Sequence, residues 1–216
     1  MSIDFLLISD PKIWAMPVEE CFEPLVDVRE TDFEILANPH SQNLQATMVR
    51  QSVLTKLLTA KQSLPSGYNF LFSEGHRPIA IQKRIYEDYY QDIQQRHPDW
   101  DKQQVESATS QFVAPPLDVP PHSTGGAFDL TLLDADGQEV DMGSIMDDWP
   151  DRNEFRNFTY AKNISIKAQQ NRQMLINVLS QVGFINYPAE WWHWSYGDKY
   201  WAYHSNAKHA IYGSVS

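Results

Sequence analysis

Thirteen prolines divide the 216-residue chain into short segments and limit the length of every helix that it can form. A proline ring removes a backbone donor and clashes with the preceding turn, so it stops a helix interior. Four prolines fall in the first forty residues and predict an irregular N-terminal segment over 1–42: Pro11, Pro17, Pro24 and Pro39. Four more end any helix that precedes them: Pro115, Pro116, Pro120 and Pro121. The chain must therefore build its core from short elements.

Between the prolines, the spacing of apolar residues predicts a mixture of helices and strands. Helical spacing predicts helices over 43–63, from Pro78 onward, more weakly over 101–113, and over 165–182. Aromatic and aliphatic runs bounded by turn residues predict strands over 68–72, 128–133, 184–187 and 190–196. No repeat or flexible linker interrupts the sequence, so one domain spanning 1–216 is the simplest organisation. Because strand–helix–strand units are few, we predict an α+β fold with helices packed on a mostly antiparallel sheet.

The charge balance excludes several classes of partner. The chain has 17 Lys and Arg against 28 Asp and Glu, a net charge of −11. Nucleic acids and anionic lipids both require a basic surface, so we expect neither nucleic acid nor membrane as a partner. No apolar run is long enough to span a bilayer, and the N-terminus lacks the features of a signal peptide. We therefore expect a cytoplasmic protein, although a processed periplasmic or secreted chain would have the same composition.

Two histidines and an aspartate form a pattern that suits a metal site. Cys21 is the only cysteine, so thiolates cannot build such a site. The side chains of His122, Asp129 and His193 are sufficient ligands for a catalytic zinc that keeps one position for water. Residues seven apart in a continuous strand face opposite sides, so His122 and Asp129 can converge only through a sharp turn. The glycine pair between them permits that turn.

Two further residues could supply the remaining chemistry of a hydrolytic site. Glu190 lies three positions before His193, and a bulge or helical turn would bring both side chains to one side. Glu190 would then lie beside the metal as a general base. Arg77 lies between a predicted strand and a predicted helix, where its guanidinium could stabilise an oxyanion or bind a substrate carboxylate.

Each of these residues also has a purely structural interpretation. His122 could be a hydrogen-bonded surface residue, Asp129 could cap a turn, and Arg77 could be solvated or salt-bridged. The acidic residues Asp147, Asp148 and Asp151 could form an exposed loop. Spacing alone therefore makes a zinc site plausible without deciding between these interpretations.

The order of the motifs resembles the zinc-dependent D-alanyl-D-alanine dipeptidases, the family that includes the vancomycin-resistance dipeptidase. The resemblance is carried by His122-Ser-Thr-Gly-Gly-Ala-Phe-Asp129, by Glu190-Trp-Trp-His193, and by Glu74-Gly-His-Arg77-Pro at a strand end. Weaker matches occur at 140–144, 171–172 and 183–184, so the resemblance spans about 43–196. It implies the D,D-peptidase and hedgehog-like fold. It also implies a zinc metallopeptidase of cell-wall metabolism that cleaves D-Ala-D-Ala or a similar small D,D-dipeptide.

The same resemblance implies a role for each matching residue. His122, Asp129 and His193 would bind one zinc ion per chain. Glu190 would act as general base and then as proton donor, and Arg77 would stabilise the transition state. Asp147 falls where the family has an acidic residue that meets the substrate's amino group.

One departure from the family pattern concerns substrate selectivity. Serine is usual two positions before the first histidine, but Pro120 stands there in this chain. Ser123 is the candidate for a substitute hydroxyl. Two alternatives therefore stay open: a D,D- or L,D-carboxypeptidase acting on longer cell-wall peptides, and a non-catalytic, zinc-stabilised binding module. The oligomeric state also stays open.

Overall fold

The computed structural model describes residues 5–36, 43–116, 119–148 and 152–215. Pro39, Asp151 and parts of the N-terminal segment lie outside these ranges. Within them the helices are α1 (Pro11–Trp14), α2 (Gln51–Lys61), α3 (Ile79–Arg96), α4 (Lys102–Thr109), α5 (Ile166–Ser180) and α6 (Lys199–His204). The strands are β1 (Leu25–Asp27), β2 (Glu34–Ile35), β3 (Met48–Arg50), β4 (Asn69–Glu74), β5 (Ala127–Leu133), β6 (Ile185–Asn186) and β7 (His193–Ser195).

Five strands form a central sheet in the order β2-β4-β5-β7-β6. Only β2 and β4 pair in parallel, and the other neighbours are antiparallel. A separate antiparallel pair joins β1 to β3. The predicted α+β class with a mostly antiparallel sheet is confirmed. None of the helices in the described ranges is both long and apolar enough to cross a bilayer.

The core lies between one face of the sheet and the helices α2 and α5. In β5, Phe128, Leu130 and Leu132 alternate onto this face and are fully buried. Alternation sends Asp129 to the opposite face, where it is buried as well. Both faces of β5 are therefore covered, one by apolar packing and the other by polar groups.

The helix predicted over 43–63 is wrong in its first part. Residues 48–50 form β3, which pairs antiparallel with β1 through Val26 and Val49. The helix itself occupies Gln51–Lys61. Pairing with a strand more than twenty residues earlier overrides a local helical period, because spacing along the sequence carries no information about that partner.

The other predicted helices are present, and α4 ends at Thr109 rather than at residue 113. Pro78 is the N-cap of α3, and the Ser165 side chain accepts a hydrogen bond from the backbone N–H of Ala168 at the start of α5. Asp101 forms a capping box with Gln104 at the start of α4. The segment 1–42, expected to be irregular, carries α1, β1, β2 and a 3-10 turn over Val28–Glu30, all short.

Candidate metal centre and active site

The central strands place two of the three predicted ligands side by side. Asp129 on β5 is the register partner of His193 on β7. Residues directly opposite each other in an antiparallel pair share one face of the sheet, so their side chains meet. Glu74 is the register partner of Asp129 on the other side. Three neighbouring strands therefore present Glu74, Asp129 and His193 on a single face.

His122 reaches the same point from a short 3-10 helix, Pro121–Thr124. Gly125 ends this helix in the left-handed region, with φ of 70°. A side chain at Gly126 would collide with the Tyr196 carbonyl oxygen, so the backbone approach there requires glycine. The glycine pair thus makes the turn on which convergence of His122 and Asp129 depends.

The three side chains form a compact, buried set of donor atoms. His122 Nε2 lies 3.1 Å from His193 Nδ1 and 3.4 Å from an Asp129 carboxylate oxygen. His193 Nδ1 lies 3.0 Å from the other Asp129 oxygen. One donor atom from each residue falls within 4.8 Å of the others. Two imidazole nitrogens and a carboxylate gathered in this way fit the preferences of zinc.

Hydrogen bonding around the histidines agrees with this use of their nitrogens. His122 Nδ1 lies 2.8 Å from the Gly75 carbonyl oxygen and donates its proton there, which leaves Nε2 as a ligand atom. Burial by itself would raise the pKa of the Asp129 carboxyl. The contacts with His122 and His193 outweigh burial and hold that pKa well below its usual range. Asp129 is therefore a carboxylate, the form that binds a metal.

Glu190 lies next to the donor atoms without joining them. A turn in which the His193 N–H donates to the Glu190 carbonyl oxygen at 3.2 Å brings both side chains to the same side. Glu190 Oε2 lies 4.0 Å from His193 Nδ1. Burial, with the charges of Asp129 and Asp147, raises the pKa of Glu190 well above its ordinary value. A carboxyl with a raised pKa beside a metal site suits proton transfer.

Arg77 is held rigidly at the cavity wall. Its Nε donates to Glu74 Oε1 at 3.1 Å, its Nη2 donates to the second Glu74 oxygen, and its Nη1 donates to Gln82 at 2.9 Å. Burial disfavours the guanidinium charge, but Glu74 more than offsets that effect and the pKa of Arg77 is raised. The salt bridge expected from the purely structural interpretation of Arg77 is present, between Arg77 and Glu74. Arg77 nevertheless lines the cavity.

These groups line one cavity of about 110 Å³. Its wall includes all three predicted ligands together with Arg77 and Glu190. Asp147 lies exposed at the rim of the cavity, with a positive φ of 58°.

Ser123 does not reach this cavity. It is fully buried, its hydroxyl donates to the Pro120 carbonyl oxygen at 2.7 Å, and it lies 2.7 Å from the Ser214 hydroxyl. Neither Pro120 nor Ser214 lines the cavity, so the structure does not bring Ser123 to the other predicted site residues.

Comparison with known proteins identifies the family. The model of the D-ala-D-ala dipeptidases, Peptidase_M15, matches residues 34–211. The chain belongs to the D-Ala-D-Ala dipeptidase family. The predicted resemblance is thereby confirmed, and with it membership of a hydrolase family.

Curated relatives agree with this family. A D-alanyl-D-alanine dipeptidase of Synechocystis is 30% identical over 236 residues, covering 93% of this chain and 95% of that protein. A D-alanyl-D-alanine dipeptidase of Enterococcus faecium is 31% identical over 157 residues, covering 66% of this chain and 70% of that protein. Among solved structures, a mutant of the vancomycin-resistance D,D-pentapeptidase VanY in complex with Zn(II) is 16% identical, with a TM-score of 0.48 and 86% coverage of each chain.

Two residues of this dipeptidase family member were not assigned a role from the sequence. The register of β4 shifts between Phe72 and Glu74, and this irregularity turns Glu74 from the core face to the face of Asp129. Gln82 is buried on the inner side of α3, where its amide donates to the Ala114 carbonyl oxygen at 2.8 Å. The sequence signals that could have identified them are a carboxylate three positions before Arg77 and a glutamine five positions after it.

A third unassigned residue anchors the segment that carries Asp147. Arg172 on α5 is buried, and its guanidinium donates to the carbonyl oxygens of Met142 at 2.7 Å, Phe158 at 2.6 Å and Arg156 at 2.7 Å. These acceptors flank the acidic segment on both sides. Arg172 therefore fixes the two ends of the loop that places Asp147 at the rim.

Proposed function

We propose that this chain is a zinc-dependent D-alanyl-D-alanine dipeptidase that hydrolyses free D-Ala-D-Ala or a closely similar D,D-dipeptide in cell-wall peptide metabolism. The observation that carries the proposal is the meeting of three metal-ligand side chains, an adjacent carboxyl and a fixed guanidinium in one small cavity. Family membership supplies the substrate class.

His122, Asp129 and His193 would hold the zinc ion through Nε2, a carboxylate oxygen and Nδ1. A zinc ion held by these residues would lower the pKa of bound water and polarise the scissile carbonyl group. The ligand residues are locked by their strands and by the His122–Gly75 hydrogen bond, so the site is organised before substrate arrives.

Glu190 is the proposed general base. Its raised pKa makes the carboxyl able both to accept a proton from the attacking water and to return it to the departing amine. A neutral group of similar shape would lose both transfers while leaving the ligands in place.

Arg77 and Asp147 are the proposed substrate contacts. The guanidinium of Arg77 is buried and aimed by Glu74 and Gln82, so it can stabilise negative charge that develops on the scissile carbonyl oxygen. Asp147 places a negative charge at the rim, where it can pair with the free ammonium group of a dipeptide.

The decisive experiment measures D-alanine release from free D-Ala-D-Ala by the zinc-loaded protein, with N-acetyl-D-Ala-D-Ala as the blocked substrate. We expect cleavage of the free dipeptide only. Equal cleavage of the blocked substrate would point to a carboxypeptidase. Full zinc occupancy with no cleavage of either would point to a non-catalytic binding module.

Two variants test the assigned roles in the same assay. Glu190→Gln should retain zinc and lose turnover, and Glu139→Gln, an exposed carboxyl outside the cavity lining, is its matched control. His122→Ala should lose zinc. Normal turnover by Glu190→Gln or unchanged zinc content in His122→Ala would refute the corresponding assignment.

A further inference from the structure

Residues 5–14, here called the N-terminal strap, are anchored to two distant parts of the chain around the cavity. Near one end, the Phe5 ring packs edge-on against Phe158 and Tyr187, with ring centroids 5.5 Å and 6.1 Å apart. Further along, the Ser9 hydroxyl donates to the Ser110 carbonyl oxygen at 2.7 Å. The strap therefore runs from the segment after the acidic loop to the segment after α4.

The other end of the strap is fixed as well. The Asp10 N–H donates to the Leu7 carbonyl oxygen at 2.9 Å, and the Asp10 side chain caps α1. Lys199 on α6 donates from Nζ to the Trp14 carbonyl oxygen at 2.7 Å. Ile13 is buried between these points in an apolar cluster that also contains strap residues 5–8. The strap is thus packed and hydrogen bonded along its length.

Ile8 is the strap residue that faces the reaction site. It lines the same cavity as His193, Glu190 and Arg77. It also lines a small neighbouring cavity beside Pro120 and Pro121. Because isoleucine is branched at Cβ, its side chain has little freedom to rotate away from a fixed backbone.

Tyr187 ties Ile8 to a neighbouring wall of the cavity. Its hydroxyl is hydrogen bonded to the Ile8 backbone and donates to the Gln111 carbonyl oxygen at 3.3 Å. Residues 110–114 line the same cavity. The strap and this wall are therefore joined through one buried tyrosine, and widening the cavity at Ile8 requires these contacts to break.

We propose that the strap, through the side chain of Ile8, sets the length limit for substrates by closing the cavity against peptides longer than a dipeptide. The inference rests on the proposed dipeptidase function. The strap precedes residue 34, where the family match begins, so the matched region does not supply this wall. Ile8 and the proposed reacting groups line one cavity, so we expect a third peptide residue to compete with the Ile8 side chain for space.

The test compares three substrates on the zinc-loaded full chain: D-Ala-D-Ala, D-Ala-D-Ala-D-Ala and N-acetyl-D-Ala-D-Ala. The measured quantity is kcat/KM for each longer substrate divided by that for the dipeptide. In Ile8→Ala this ratio should rise about tenfold or more for at least one longer substrate, the effect expected for removing methylene groups that crowd a pocket. Leu7→Ala is the matched control, because Leu7 packs in the apolar cluster and does not line the cavity.

The outcomes separate this inference from the proposed function. If wild type cleaves the dipeptide and Ile8→Ala leaves both ratios unchanged, the inference is wrong and the dipeptidase function stands. An equal rise in Leu7→Ala, or efficient cleavage of tripeptide by wild type, also overturns the role of Ile8. If wild type cleaves no dipeptide, the proposed function itself fails. Zinc content and thermal unfolding confirm that each variant is folded.

Discussion

Asp198 should strengthen zinc binding by accepting a hydrogen bond from the far side of His193. His193 Nδ1 faces Asp129 and His122, so a metal bound there leaves the proton on Nε2. His193 Nε2 and Asp198 Oδ2 are both buried, and neither has a hydrogen-bond partner within the described residues. Burial lowers the pKa of His193, and the Asp198 charge opposes that shift only in part. A carboxylate behind a metal-ligating histidine is a common way to orient the ring.

Asp198→Asn isolates this interaction. The Asp198 side chain also caps α6 by accepting a hydrogen bond from the Trp201 N–H at 2.8 Å, and asparagine preserves such a cap. The substitution therefore keeps the cap and replaces Oδ2, the acceptor that we expect for His193 Nε2, with an NH₂ group. A hydrogen bond to a charged group contributes about 1.5–3 kcal/mol. At about 1.4 kcal/mol per tenfold change, zinc affinity should fall roughly 10- to 150-fold.

The assay is competition for zinc between the metal-free protein and a chromophoric chelator. Asp101→Asn is the matched control, because Asp101 caps α4 in the same way and does not line the cavity. Its zinc affinity should equal that of wild type, and the melting temperatures of the two metal-free variants should be similar. Wild-type zinc affinity in Asp198→Asn would refute the reasoning. A large loss of melting temperature without loss of affinity would show that Asp198 is structural only.

Three further predictions concern the supports of the site. Burial would raise the pKa of Glu74, but Arg77 outweighs it and the pKa is lowered. The Glu74–Arg77 ion pair therefore stabilises the fold at pH values above the normal carboxyl pKa, and this stabilisation is lost as the pH falls through the lowered pKa. Urea unfolding at several pH values should therefore show a weaker acid dependence in Glu74→Gln, and an unchanged slope would contradict this. Gln82→Ala should lower kcat for D-Ala-D-Ala with unchanged zinc content, because Arg77 loses a hydrogen bond; equal losses of kcat and zinc would indicate general disruption instead. Arg172→Leu leaves three carbonyl oxygens without their donor, so the free energy of unfolding measured by urea titration should fall by about 3 kcal/mol or more. A value within about 1 kcal/mol of wild type, roughly one hydrogen bond, would refute the anchoring role.

Some parts of the predicted site depend only on the backbone geometry of a few consecutive residues, and the sequence predicts these parts. The glycine pair between His122 and Asp129 makes a turn that only small residues permit, and the structure contains that turn. Glu190 and His193 are three apart, which requires a bend, and a hydrogen-bonded turn provides it. Such features depend on a few consecutive residues, so the sequence carries enough information to predict them.

Features that depend on distant partners were not predictable in the same way. Residues 48–50 have a helical period but pair with β1, and the Ser123 hydroxyl lies 2.7 Å from the Ser214 hydroxyl, 91 positions later in the chain. Glu74 faces Asp129 only because the register of β4 shifts. In each case the deciding contact is made by a segment far away in the chain or by the exact register of a strand.

The sequence by itself therefore determined the fold class and the family, and it predicted the candidate metal ligands, because proline positions, periodicity and short motifs can be read directly from the chain. The tertiary structure alone decided how Arg77 is aimed, that Glu74 shares the face of Asp129, and that Ile8 lines the cavity. The bond from Ser9 to Ser110 crosses 101 positions of sequence. Contacts of that kind arise only when the chain packs, since the free energy that favours them comes from burial shared among segments with no local relation.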